Sequence, residues 1–125
     1  WAWVTARRAT PADAPTTVSA ALEATERWIS QPTDEHGHRA MQLADAADFA
    51  TPAGMAALAA FFSGTSVAPP GQPAVAPDPW MTAKMIAGAV LVASLAGAAE
   101  TMDERLKLAV DQGLDVANKI NLWPE

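Results

Sequence analysis

Two segments of the chain are almost entirely apolar and rich in alanine, and they restrict the possible folds more than any other feature. The run MAALAAFF occupies residues 55–62, and of the fifteen residues between Lys84 and Glu100 only Ser94 is polar. A helix that is apolar on all sides is stable in water only when other elements surround it. We therefore expect two buried helices and, because alanine is small, close approach of the backbones around them.

The longer segment raises the alternative of a membrane helix. Fifteen residues rise about 22 Å in an α-helix, which is short of the roughly 30 Å of hydrocarbon in a bilayer. Small residues recur at every fourth position, Ala89, Ala93 and Gly97, and such a ridge lets a second backbone pack closely. These observations favour a helix enclosed by its own protein, with no membrane span, over a membrane-associated hairpin built on residues 85–99.

Prolines and capping residues divide the remaining chain into further helices. Thr33 and Thr51 each precede a helical pattern, and Pro52 fits a first helical position, where the N–H it lacks is not needed. Thr16 or Thr17 and Thr82 can each cap a further helix, and Thr101 and Glu104 have the spacing of a capping box. The predicted helices cover residues 1–9, Thr16 or Thr17 to about Ile29, Thr33 to about Asp48, Thr51 to about Gly64, Thr82 through the second apolar segment, and Thr101 to near the end.

No stretch alternates polar and apolar residues with the period of a β-strand. The sequence therefore predicts an all-α fold, a compact bundle of five or six helices with no β-sheet, in one domain over residues 1–125. The chain begins at Trp1 inside a helical pattern, so we expect it to be the C-terminal part of a longer chain. The last helix carries an apolar stripe that we expect to be buried: Leu106, Ala109, Val110, Leu114 (or Gly113) and Ala117.

Five of the ten prolines lie in one segment, SVAPPGQPAVAPDPW, at residues 66–80. The PxxP spacing of Pro70 and Pro73 would suit a proline-reading domain beside a basic residue, but no lysine or arginine lies between Arg39 and Lys84. A free linker would be polar and rich in glycine or serine. We therefore predict an ordered strap over residues 65–80 that crosses the bundle and packs against it through Val67, Val75 and Trp80.

Composition excludes several classes of function. The formal net charge is −6, so the surface disfavours nucleic acid and anionic lipid. Cysteine is absent, which excludes disulfides and thiol chemistry and is compatible with a cytoplasmic location.

The sequence offers little for catalysis. His36 and His38 in DEHGHR lie about 200° apart on a helix, so they cannot grip one metal ion there, although in an extended turn they could. The serines lack the sequence context of a nucleophile, and no glycine-rich phosphate loop is present. We therefore expect no catalytic residues, no metal, no cofactor and no enzymatic activity.

Five tryptophans stand out in a chain this rich in alanine. Trp28 follows a core pattern. The other four lie near helix ends or the chain end, where they would either close the ends of the core or bind a partner, as exposed tryptophans often do. The candidate partner-binding residues are Trp1, Trp3, Trp80, Trp123, Val67 and Val75.

The stretch from WISQPTDEHGHRAM through TPAG, SGTSVAPPGQPAVAPDP and the AGAV helix resembles an uncharacterised family of bacterial, alanine-rich helical proteins. The resemblance covers residues 28–93 and departs from the family pattern at Met55 and Phe62, where tryptophans are expected. Some members lie near type VI secretion genes, which implies an accessory role. The family carries no known activity or catalytic residues.

The leading hypothesis is therefore a non-catalytic module that binds another protein, of unknown oligomeric state. The alternative is a small-molecule-binding protein or enzyme with a pocket beneath the strap.

Overall fold

The computed structural model describes residues 1–120, and residues 121–125, including Trp123, lie outside the described part. The described chain contains helices and no strand, which confirms the predicted all-α bundle. A single 3₁₀ turn, Ala99–Thr101, precedes the last helix. The helices are α1 (Ala2–Ala9), α2 (Thr16–Ser30), α3 (Asp34–Ala47), α4 (Pro52–Phe62), α5 (Met81–Leu95) and α6 (Met102–Lys119).

The central element is α4, which contacts α1, α2, α3 and α5. Eight of its eleven residues, Ala53, Gly54 and every residue from 56 to 61, are buried, as the apolar run predicts. Most of the core residues are alanines. Small side chains on all the surrounding helices let the backbones approach closely, so the packing tolerates little added volume.

Two of the predicted caps are confirmed. The Thr33 hydroxyl accepts a hydrogen bond from the His36 amide at 3.2 Å. The Thr51 hydroxyl accepts one from the Gly54 amide at 3.0 Å, and Pro52 occupies the first position of α4. Glycine is needed at position 54 because a Cβ there would lie 2.3 Å from the Asp48 carbonyl oxygen. The TPAG motif therefore marks the tight junction of α3 and α4.

Three other predicted side-chain caps are wrong: those of Thr16 or Thr17, of Thr82, and of the Thr101–Glu104 pair. Both Thr16 and Thr17 already lie within α2, which Pro15 precedes. Because α5 begins at Met81, Thr82 also lies inside its helix, where its hydroxyl is 3.3 Å from that of Ser63. The Thr101 hydroxyl lies 3.3 Å from the Ala98 carbonyl oxygen and is also bonded to Arg105 instead of to an α6 amide.

The expectation that residues 85–99 are enclosed holds for one face only. Ala89, Val90, Ala93 and Ser94 are buried, whereas Leu91, Leu95 and all of residues 96–99 are exposed. α5 ends at Leu95, shortly before Gly97, whose φ is +117°, so the apolar segment forms a shorter helix than its composition suggests. No helix within residues 1–120 combines the length and the apolar character that a membrane crossing requires.

The strap is ordered at its base and projects at its tip. The Val67 amide donates to the Val75 carbonyl at 2.8 Å, and the Ser66 hydroxyl accepts from the amides of Ala68 and Val75. Ala68 is buried and Val67 half-buried. The predicted packing of Val75 and Trp80 is wrong, because these side chains are 54% and 69% exposed. The strap closes on itself through these polar bonds, and of its residues beyond position 68 all except the half-buried Pro77 are exposed.

Candidate interaction surface

α6 is attached to the rest of the protein along a narrow strip. The Trp1 indole N–H donates to the Ala109 carbonyl at 2.8 Å, and the Trp1 ring lies so close to Gly113 that a Cβ there would be 2.6 Å from it. Arg105 donates from Nε to the Ser94 carbonyl at 3.0 Å and from a terminal nitrogen to the Ala98 carbonyl at 2.9 Å. These contacts hold α6 near its N-terminus and at its centre without covering its sides.

The apolar stripe of α6 that the sequence predicts to be buried is therefore mostly uncovered. Ala109 is the one buried residue of the helix. Leu106, Val110 and Leu114 are 37%, 45% and 48% exposed. The prediction that they form a buried face is wrong for this chain alone, although the stripe itself is present. We name the uncovered apolar side of the last two long helices the α5–α6 face; its exposed large residues are Leu91, Leu95, Leu106, Val110 and Leu114.

A shallow groove of about 440 Å³ runs along this face, where α1, α5 and α6 meet. Every residue that lines it is apolar: Trp1, Ala83, Ile86, Ala87, Val90, Leu91 and Leu106. The groove joins Leu91 of α5 to Leu106, the first residue of the α6 stripe. Exposed apolar surface of this kind is a candidate interaction site.

The tryptophans predicted as partner-binding residues have different surroundings. Trp3 is half-buried, donates its indole N–H to the Leu22 carbonyl at 3.0 Å, and lies beneath the Arg7 guanidinium at 5.4 Å. Trp1 closes the junction with α6 and also lines the apolar groove. Trp80 projects into solvent at the start of α5. Of the candidate tryptophans within residues 1–120, only Trp1 lies at the α5–α6 face.

A second and more polar groove, of about 760 Å³, lies between α3 and the strap. Both histidines line it, but their rings are engaged by backbone. His36 Nδ1 lies 2.8 Å from the Gln31 carbonyl oxygen. His38 Nδ1 lies 2.7 Å from the Asp34 carbonyl oxygen, and its Nε2 lies 2.8 Å from the Ala68 carbonyl oxygen. The His38 ring therefore faces two carbonyl acceptors, those of Asp34 and Ala68. A neutral imidazole has one N–H and can donate to one of them, whereas a doubly protonated ring can donate to both.

His38 and Asp34 together fasten the strap to α3. One carboxylate oxygen of Asp34 accepts a hydrogen bond from the Thr65 amide at 2.9 Å, and the other is bonded to the Thr65 hydroxyl. These bonds, with a smaller contribution from the charge of His38, hold the pKa of Asp34 below its usual value. The sequence signals only the position of Asp34 in the first turn of α3. Its contacts with Thr65 join distant parts of the chain, and no local pattern records them.

Within residues 1–120, no three His, Asp or Glu side chains are grouped closely enough to hold a metal ion. A family model described as a family of unknown function (DUF6931) matches residues 1–117. The chain belongs to this family. No curated protein matches the chain, and no solved structure matches it. The DUF6931 match spans both the strap and most of α6, so the polar groove and the α5–α6 face both lie inside the family's own domain.

Proposed function

We propose that the chain is a non-catalytic accessory module that binds another protein through its α5–α6 face. The observation that supports this proposal is the uncovered stripe of Leu106, Val110 and Leu114 beside an entirely apolar groove. Burying apolar surface is favourable by about 25 cal/mol per Å². A complex in which a partner covers this face is therefore stabilised, and the apolar residues are already held in place on helices. Helices commonly bind in such grooves through residues spaced three and four apart.

The setting of the proposed module is a bacterial secretion system of the type VI class. This part of the proposal is supported by the resemblance of residues 28–93 to a family with members near such genes. The exposed side chains of Val75 and Trp80 offer the same partner, or a second one, an additional contact on the strap.

Site-specific photo-crosslinking tests the proposed face. A photoreactive amino acid is placed at Leu91 or Leu114, both exposed, and the chain is expressed in its source organism. We expect covalent adducts with one identifiable protein, which includes a second copy of the chain. The control carries the same amino acid at Asp13, which is exposed in the loop between α1 and α2, and should give none. Equal labelling at all three positions, or no adduct, would overturn the proposal.

A second candidate function is small-molecule binding in the groove beneath the strap. Its volume of about 760 Å³ is within the usual range of ligand sites, and Arg27, Arg39 and Gln42 line it. NMR titration with a metabolite library tests this function. A ligand of this site should shift the resonances of these three residues and of Thr65, and should leave those of α6 unchanged. A library that shifts none of them, or shifts α6 instead, would count against the groove.

A further inference from the structure

The α6 stripe has a symmetry that identifies one partner. Leu106, Val110 and Leu114 are spaced by four residues on either side of Val110. If a second α6 crosses the first in the opposite direction at Val110, each Leu106 meets a Leu114 and the two Val110 side chains meet each other. This reciprocity is what a two-fold symmetric interface requires. Rows of residues spaced by four also form the ridges that interlock in the commonest class of helix packing.

The charges beside the stripe favour the same arrangement. Lys107 and Asp111 both lie along the stripe's outer edge, are exposed, and form no ion pair within residues 1–120. In the antiparallel arrangement, Lys107 of one copy and Asp111 of the other differ in height by about 3 Å along the helix, and the pair occurs twice. A parallel two-fold arrangement would instead place the Lys107–Asp111 edges of the two copies on opposite sides of the contact, where these charges could not pair.

The surface next to the stripe can receive the second helix. Leu106 borders the apolar groove that Trp1 and Leu91 also line, so Leu114 of the second copy, opposite Leu106, has an apolar recess beside it. Exposed Asp103 ends the stripe on its N-terminal side and supplies the polar rim that interfaces normally have.

We infer that two copies of this chain pair through antiparallel α6 helices about a two-fold axis at Val110. This inference rests on the proposed function, because it names the protein that the α5–α6 face binds. Leu106 and Leu114 form the two ends of the contact, and the reciprocal Lys107–Asp111 pairs set its direction.

Sedimentation velocity over a range of protein concentrations tests the pairing. The chain should sediment as a dimer that dissociates on dilution. Val110→Glu places two like charges at the axis and should weaken association on the order of a hundredfold. Leu108→Glu is the matched control. Leu108 is exposed on the opposite side of α6, about 200° away from Val110, so this variant should dimerise as tightly as the unchanged chain. Circular dichroism verifies that both variants remain folded.

A charge reversal keeps the test decisive if Val110→Glu fails to fold. Lys107→Asp should weaken the dimer, and adding Asp111→Lys should restore it. A chain that is monomeric at all concentrations, or a dimer that Val110→Glu and Lys107→Asp leave intact, would overturn the inference. If the chain is monomeric and its crosslinks at Leu114 are to a different protein, the pairing is wrong and the proposed function stands. If the chain is monomeric and gives no crosslinks, the pairing and the proposed function are both wrong.

Discussion

Replacing Gly54 with alanine should destabilise the fold, although this change usually stabilises a helix. Alanine gains about 0.8–1.0 kcal/mol over glycine inside a helix. Here the added Cβ would lie 2.3 Å from the Asp48 carbonyl oxygen and 3.1 Å from the Thr51 hydroxyl. Asp48 is held at a φ of +73°, and its carbonyl oxygen accepts hydrogen bonds from the amide and the hydroxyl of Thr51. The turn therefore has little freedom to move away.

The cost of relieving this contact exceeds the gain in helix preference. Overpacking costs about 1–3 kcal/mol, and displacing Thr51 from its capping position costs about 0.5–2 kcal/mol more. Gly54→Ala should therefore lower the free energy of unfolding by about 0.5–4 kcal/mol, which urea denaturation followed by circular dichroism measures.

Gly37→Ala is the matched control in α3. Its Cβ would meet its nearest neighbour, the Phe61 Cα, at 3.7 Å, an ordinary van der Waals distance. This variant should gain about 0.4–1 kcal/mol. If both glycine variants shift stability in the same direction, the close junction of α3 and α4 is not what requires glycine at position 54.

Three further changes test other contacts. Ala93→Leu should destabilise the fold by about 1–3 kcal/mol through overpacking, whereas Ala46→Leu, at an exposed position of α3, should change the stability by less than about 0.5 kcal/mol; equal melting temperatures for the two variants would show that α5 is loosely packed at Ala93. Because Thr65 lowers the pKa of Asp34 in the folded state, ionised Asp34 stabilises the fold above the ordinary carboxyl pKa, and this contribution is lost as the pH falls through the folded-state value. Thr65→Val should raise the Asp34 midpoint in an NMR titration, and an unmoved midpoint would refute this cause. Trp1→Phe removes the indole hydrogen bond to α6 and should lower the free energy of unfolding by about 0.5–1.5 kcal/mol. Amide hydrogen exchange should accelerate more in α6 than in α3. Equal acceleration in the two helices would contradict the attachment of α6 through Trp1.

The fold could be predicted from sequence wherever the determinants are local. Thr33 and Thr51 cap their helices through amides only three residues away, and the uninterrupted apolar character of α4 required burial on all sides. The prediction failed for α6 because periodicity shows which side of a helix is apolar without showing what covers it. Val110 and Leu114 would have the same spacing whether another helix of the chain or a second protein lay against them.

The candidate sites depend on contacts between distant residues, and these left weaker signals in the sequence. The strap was predicted to be ordered, but not that His38 would bond to the Ala68 carbonyl or Asp34 to Thr65, contacts that join residues about thirty positions apart. Trp80 was expected to pack because it is large and apolar. It projects instead: the Trp80 amide donates to the Asp78 carboxylate at 2.8 Å, which fixes the backbone at the start of α5 without bringing the indole against the helices.

Disulfide trapping tests most directly whether the α6 stripe is a contact between proteins. The chain has no cysteine, so a single Val110→Cys variant reports on one position without interference. Two such residues at a two-fold axis would lie close enough to be bridged. On mild oxidation we expect Val110→Cys to give a covalent dimer rapidly and at low protein concentration, and Leu108→Cys to remain a monomer. Equal rates of crosslinking for the two variants, or none for either, would contradict the account.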